Sequence, residues 1–162
     1  MLGADSTTDD VLAGVDLTGR TAVITGSSGG LGLETARALA ARGAAVVLAA
    51  RDRVKLDAAV AQLRDQVPGI TVDSVLLDLA DLTSVRAAAA EVADRHPVID
   101  LLIDNAGVMA CPLGRTTDGF ETQFGTNHLG HFLFTILLKE PLATAVAEHG
   151  SARVVVLSSG GH

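Results

Sequence analysis

Short, almost wholly apolar runs alternate along the chain with longer stretches in which apolar residues recur every three or four positions. Thr21–Thr25 (TAVIT), Ala45–Ala50 (AVVLAA), Thr71–Leu77, Asp100–Asp104 (DLLID) and Arg153–Leu157 (RVVVL) are runs of the first kind. Each is too short for a stable helix and most are rich in β-branched residues, which predicts strands. Leu31–Ala41, Val54–Gln66, Leu82–Arg95 and a long segment from about Asp118 to Glu140 carry the helical spacing. In the second of these the apolar set is Val54, Leu56, Val60 and Leu63, and Pro68-Gly69 closes it. Gly43 is a suitable residue just past the first helix, and Asp81, Thr83 and Ser84 offer caps to the third. Pro141 is predicted to end the fourth, and residues 1–18 read as a polar leader with a short helical turn at most.

The order is β-α-β-α-β-α-β-α-β, with strands apolar on both faces. It predicts an α/β fold in which right-handed crossovers put helices on both sides of a parallel sheet. A length of 162 residues suits one domain, and 48% hydrophobic against 19% charged residues is a globular composition. Aromatic residues reach only 2%, with four Phe and neither Trp nor Tyr. That inventory builds no base-stacking platform, and no tyrosine hydroxyl of this chain can move a proton. The net charge of −7 repels phosphate backbones, so nucleic acid is not an expected partner. A phosphorylated small molecule stays compatible, because one local Arg outweighs a diffuse field. No run reaches the ~18 apolar residues of a membrane span, and the acidic start is unlike a signal peptide. With Cys111 alone, no intrachain disulfide can form, and a cytoplasmic location is expected.

Candidate chemistry gathers at strand exits. Thr25-Gly26-Ser27-Ser28-Gly29-Gly30-Leu31-Gly32 joins the first strand to its helix. A phosphate-binding turn needs residues without Cβ where backbone meets ligand, and a helix N-terminus aimed at the negative charge. Gly26, Gly30 and Gly32 meet the first need, with Ser27 and Ser28 as hydroxyl donors. The spacing is G-x-x-x-G-x-G rather than G-x-G-x-x-G, and the Gly-Lys-Ser/Thr of an ATP-type loop is absent. A turn kept only for tight packing is the plainer alternative. At the second strand's exit, Arg51 suits a ribose 2′-phosphate and Asp52 suits free ribose hydroxyls. A merely solvated Arg51 is the plainer alternative there. His128 and His131 share a helical face, but no third ligand is evident and no metal is expected. Phe120, Phe124, Phe132 and Phe134 fit helix packing or a subunit face better than a ligand pocket.

In this order the motifs resemble the N-terminal part of a short-chain dehydrogenase/reductase, most closely the retinol-dehydrogenase-like and WW-domain-oxidoreductase-like branch. TGSSGGLG at Thr25–Gly32 is similar to the family's cofactor loop, which implies cofactor roles for Gly26, Ser27, Ser28, Gly30, Leu31 and Gly32. LAARD at Leu48–Asp52 resembles the basic strand end of NADP-preferring members, with Arg51 the cation. Asp78-Leu79 resembles the pair that brackets the adenine ring. Asp104-Asn105-Ala106-Gly107 is similar to an Asn-Asn-Ala-Gly motif, in which Asn105, Ala106 and Gly107 lie against the cofactor. Asn127 falls at the family's helical catalytic Asn, and RVVVLSS at Arg153–Ser159 leads to the catalytic Ser, Ser159, with Ser158 beside it as the fallback. The likeness runs from about residue 17 to the last residue.

The resemblance implies a Rossmann-type three-layer sandwich holding five of seven parallel strands in the order 3-2-1-4-5. Residues 1–18 would be the leader and 19–162 a truncated NAD(P)-binding domain, with the fifth strand an open apolar edge. The implied activity is reversible hydride transfer between NADP(H), favoured, or NAD(H), and a small-molecule alcohol or carbonyl compound. Asn127 would hold a water in the proton relay and Ser159 would orient the substrate oxygen. The family's Tyr, with a Lys four residues later, has no counterpart here, and neither Lys55 nor Lys139 is placed to substitute. The chain is therefore expected to be a fragment of a longer enzyme whose missing C-terminal third completes the site, and to be inactive alone. The parent enzyme is expected to be a homo-oligomer, because the long helix carrying Asn127 forms subunit contacts in the family. Asp104 stands where the motif has its first Asn; it still accepts hydrogen bonds but lacks the amide donor, a loss expected to be tolerated. The rival is a catalytically inactive nucleotide-binding or interaction protein, natural in this short form. A methyltransferase on a similar sheet would want an acid where Ala50-Arg51 stand.

Overall fold

The computed structural model describes residues 2–159. Five strands, β1 (Thr21–Thr25), β2 (Ala45–Ala50), β3 (Val72–Leu76), β4 (Leu101–Asp104) and β5 (Arg153–Val156), form one sheet. All its pairings are parallel, and the order is β3-β2-β1-β4-β5. Successive side chains on a strand face opposite ways, so an all-apolar strand feeds two cores. On one side Ile24, Val46 and Leu48 pack with Leu56 and Leu63. On the other, Val23, Val47 and Val75 pack with Val85, Val92 and Phe134. The helices covering the first side are α2 (Gly30–Ala40) and α3 (Arg53–Gln66), after a short α1 (Thr8–Val11). The second side is covered by α4 (Leu82–Arg95) and α5 (His131–Leu137), and α6 (Lys139–His149) leads into β5. This is the Rossmann-type three-layer sandwich.

Local chemistry explains the helix starts. Asp52 caps α3 by accepting from the Lys55 amide at 3.1 Å. Asp81 caps α4 by accepting from the Thr83 and Ser84 amides at 2.8 and 3.3 Å. Thr7 and Asp10 form a reciprocal capping box on α1. That turn is docked on α2. Arg37 reaches Glu34 at 2.8 Å and Asp9 at 3.1 Å, while Leu12 and Leu17 pack against the first core. The Arg37 guanidinium and the Thr8 hydroxyl pull the Glu34 carboxyl down to about 2.

The fourth predicted helix is where pattern and structure differ. A turn around Asp118-Gly119 and a bridge between Arg115 and Glu121 come first, and a π-helical turn then spans Phe124–Gly130. Regular helix begins only at His131, breaks at Leu138, and resumes through Pro141 to His149. Pro141 ends nothing. It occupies the first turn of α6, where its missing N–H would have had no partner within the helix. Val54 is also outside its expected place, 79% exposed while Leu56 and Leu63 are fully buried. β5 pairs with β4 alone, leaving Val154, Val155 and Val156 substantially exposed along the sheet's edge. Among the described residues no single helix is long and apolar enough to cross a membrane; Phe124–Leu137 and Lys139–His149 meet the length and composition only as a pair bent by 54°.

Candidate functional site

Parallel strands bring all their C-terminal ends to one side of the sheet, so the turns leaving β1, β2, β3 and β4 converge there. They line a cleft of about 510 Å³. From the first turn come Gly26, Ser28, Gly29, Leu31 and Gly32; from the second, Arg51, Asp52 and Lys55; from the third, Asp78 and Leu79; from the fourth, Asn105, Ala106, Gly107 and Val108.

Close contact between the first and fourth turns explains the glycines. A Cβ on Gly26, whose φ is +65°, would stand 2.8 Å from Ala106 Cα. A Cβ on Gly32 would stand 2.6 Å from both the Gly26 carbonyl oxygen and Asn105 Nδ2. The gap so preserved is stitched by Asn105, whose Nδ2 donates to the Thr25 carbonyl at 2.8 Å. The Asn105 and Ala106 amides also donate to the Thr25 hydroxyl oxygen, at 2.9 and 3.0 Å. The N-terminus of α2 opens onto this turn with no side-chain cap and no acid in its first turn. The leading N–H groups of a helix have no partner within it, and the helix end favours an anion. A helix start beside a glycine turn suits a bound anion.

Ser27 requires a correction. It was expected as a hydroxyl donor to the ligand, yet it is fully buried and does not line the cleft. Its hydroxyl donates to the Ile24 carbonyl at 2.7 Å and accepts from the Ala49 amide at 3.0 Å, bracing β1 against β2. Gly30 also lies outside the cleft lining and serves the turn through its φ of +56°. Gly29 and Lys55 do line it and were not singled out from sequence. Lys55 stands one helical turn beyond Arg51, a spacing that was available to read. Asp52 spends its Oδ1 on the α3 cap.

The third turn is held by Asp78, whose Oδ1 accepts from the Ala80 amide at 2.9 Å and whose own amide donates to Ser84 Oγ at 3.0 Å. Asn127 lies beside the cleft. It grips Val108 at both polar atoms, accepting from the amide at Oδ1 and donating to the carbonyl from Nδ2, each at 2.8 Å. Its neighbour Thr126 is the residue of the π-helical turn that reaches the cleft. Ser159 follows β5 at the same end of the sheet, exposed and outside the cleft lining. Of the proposed cofactor residues all but Ser27 and Gly30 line this one cavity, and Asn127 and Ser159 are not in its lining.

His128 and His131 have separate surroundings. His128 stacks between Phe124 and Phe132, with centroids 5.2 and 6.3 Å away, on the exposed side of the helix. His131 is buried, with Nδ1 2.8 Å from the Asn127 carbonyl oxygen and Nε2 2.8 Å from Thr25 Oγ1. Among the described residues no three His, Cys, Asp or Glu side chains are grouped to hold a metal.

Asp104 is buried at the end of β4. Its Oδ2 accepts from the Thr135 hydroxyl at 2.9 Å, while Oδ1 is buried without a partner among the described residues. Burial pushes its carboxyl pKa up, against the weaker pull of the Thr135 hydroxyl. The folded state therefore holds this proton more tightly than the unfolded chain does. Stability falls as pH rises through the interval above the ordinary carboxyl value of about 4. Asp104→Asn removes that charge, and at neutral pH it is expected to stabilise the fold by about 1–2 kcal/mol. Urea unfolding across pH checks this: the gain should vanish below about pH 4, and a gain equal at every pH would contradict it.

The comparisons agree with this geometry. The family model described as short chain dehydrogenase matches residues 20–161. Retinol dehydrogenase 12 of Mus musculus is 49% identical over 148 residues, covering 91% of this chain and 46% of that protein. An uncharacterized protein from Mycobacterium Paratuberculosis superposes with a TM-score of 0.68 at 48% identity, over 77% of this chain and 44% of the other. The Pseudomonas aeruginosa RhlG/NADP active-site complex gives 0.73 at 27% identity, over 86% and 54%. The chain spans about half the length of the curated relatives it matches. The glycine turn, the parallel sheet and the matched span together show that the chain belongs to the short-chain dehydrogenase family.

Proposed function

We propose that the cleft holds the adenosine and pyrophosphate part of NADP(H), in preference to NAD(H), as the cofactor half of an oxidoreductase acting on an alcohol or carbonyl compound. The observation that carries this is the contact of Gly26 and Gly32 with the Asn105–Ala106 segment beside the uncapped start of α2. The α2 amides and the glycine turn would hold the pyrophosphate, and Asp78-Leu79 would face the adenine. Arg51 and Lys55, both exposed on the cleft, would meet the 2′-phosphate, while Asp52 is engaged in its cap. The bound cofactor supplies or accepts the hydride. Asn127 and Ser159 are proposed as catalytic residues for the proton relay and the substrate oxygen.

The chain holds no Tyr, so we assign it cofactor binding without turnover on its own. The 49% identity with a retinol dehydrogenase supports the retinol-dehydrogenase-like branch, and a lipophilic primary alcohol or its aldehyde as the substrate class. The exposed Phe124–His128–Phe132 stack supports a subunit contact in a homo-oligomer, and the cytoplasm is the proposed location. Mixing the chain with NADPH and a medium-chain aldehyde tests this. NADPH fluorescence should change saturably with no oxidation of the cofactor. Oxidation above the blank would overturn the assignment of binding without turnover, and an unchanged fluorescence would overturn the cofactor assignment.

A further inference from the structure

A hydrogen-bond count around Thr25 assigns a role to His131, given the cofactor reading above. The Thr25 hydroxyl oxygen accepts from two backbone amides, that of Ala106 and that of Asn105, which is shared with the Ile103 carbonyl at 3.0 Å, and neither amide can do anything but donate. Two acceptor positions are all a hydroxyl oxygen has. Its proton must then go outward, and the nearest acceptor is His131 Nε2 at 2.8 Å, against the Ile103 carbonyl at 3.5 Å. Nε2 therefore accepts. On the other side of the ring, Nδ1 faces the Asn127 carbonyl oxygen at 2.8 Å, which can only accept, so Nδ1 carries the hydrogen. Of the two neutral tautomers, the network fits the one protonated at Nδ1.

The ring is held from all sides. Thr25 closes it from the end of β1 and Asn127 from the π-helical turn. Asp104, the charged group facing it from β4, is tied to Thr135 of α5 and makes no hydrogen bond to the imidazole. We propose that His131 is a positioning residue: its Nδ1–H imidazole couples the Asn105–Gly107 wall of the cofactor cleft, through Thr25, to the main-chain carbonyl of Asn127. Through this link the cleft wall and the proposed catalytic Asn take up one relative placement, although His131 itself touches neither cofactor nor substrate.

Two variants divide the link. Asn at 131 places an amide near Nδ1 and keeps a donor for Asn127 while abandoning Thr25; Gln reaches toward Nε2 and does the reverse. The first reading needs no cofactor. In the ¹⁵N-histidine-labelled chain, His131 should show a pyrrole-type Nδ1, a pyridine-type Nε2 and a slowly exchanging Nδ1 proton. An Nε2–H tautomer would overturn the inference whatever the cofactor does. In the second reading, His131→Asn should weaken NADPH binding about fivefold, the loss of one hydrogen bond. His131→Gln should leave NADPH binding nearly unchanged but shift the backbone signals of Asn127 and Val108. Thr25→Ser should behave as wild type. Equal NADPH affinity in both folded His131 variants would overturn the coupling. Failure of the wild-type chain to bind NADPH would overturn the cofactor reading instead, with the tautomer still deciding the network.

Discussion

Replacing Gly32 with alanine is expected to abolish measurable NADP(H) binding and to destabilise the fold by about 1–3 kcal/mol, the range for forcing a methyl into a filled space. The new Cβ would meet the Gly26 carbonyl oxygen and Asn105 Nδ2, each at 2.6 Å. One of these atoms is main chain, and the other belongs to a side chain already bonded to the Thr25 carbonyl. Relief requires Asn105 to leave Thr25 or α2 to retreat from the turn, and both moves open the proposed phosphate cradle. Gly29→Ala is the control. Gly29 also lines the cleft, but its φ of 174° is ordinary extended backbone and a Cβ there meets nothing within 4 Å. Its unfolding free energy should stay within about 0.5 kcal/mol of wild type. Denaturant unfolding and cofactor titration of both variants decide the point; a Gly32→Ala chain that binds NADPH normally would remove the cradle from the account.

Arg51→Asp should carry the largest change in selectivity, lowering the preference for NADP(H) over NAD(H) by about 10- to 100-fold. A charge-assisted hydrogen bond contributes about 1.5–3 kcal/mol, and the added carboxylate repels the 2′-phosphate while accepting from a free ribose hydroxyl. Lys55→Glu should act in the same direction and less strongly, because an ammonium is a point charge without the planar two-donor edge of guanidinium. Arg53 is a neighbouring control: it pairs with Asp57 at 3.6 Å along α3 and does not line the cleft. Arg53→Glu should leave the preference unaltered. Equal affinities for the two cofactors in wild type, or an Arg51→Asp chain with the wild-type ratio, would remove the 2′-phosphate from the proposal.

The sheet was readable from sequence because strands buried on both faces leave a compact apolar signal, and five such runs separated by helical spacing admit few arrangements. Leu56 and Leu63 were readable for the same reason, whereas Val54 fits the same spacing and is exposed because it stands in the first turn of α3, ahead of the packed face. Pro141 misled for a local reason. A proline that stops one helix and a proline in the first turn of the next follow similar residues, and only the break at Leu138 separates the two cases. Ser27 was misread because its partners, Ile24 and Ala49, come from two strands whose adjacency a motif does not show. The role of His131 is not legible in the sequence, since its contacts join Thr25, 106 residues away, and Asn127, in a π-helical turn with no distinctive sequence pattern.

The cleft is proposed to be built for a 2′-phosphorylated adenine dinucleotide. Calorimetric titration of the chain with NADPH, with NADH, and with adenosine 2′,5′-bisphosphate tests it most directly, because the last ligand carries only the half of the cofactor that Arg51, Lys55 and Asp78-Leu79 would hold. The account predicts one site per chain, tighter binding of NADPH than of NADH, and competition between adenosine 2′,5′-bisphosphate and NADPH. Heat from none of the three, or equal binding of NADPH and NADH with no competition from the bisphosphate, would contradict it.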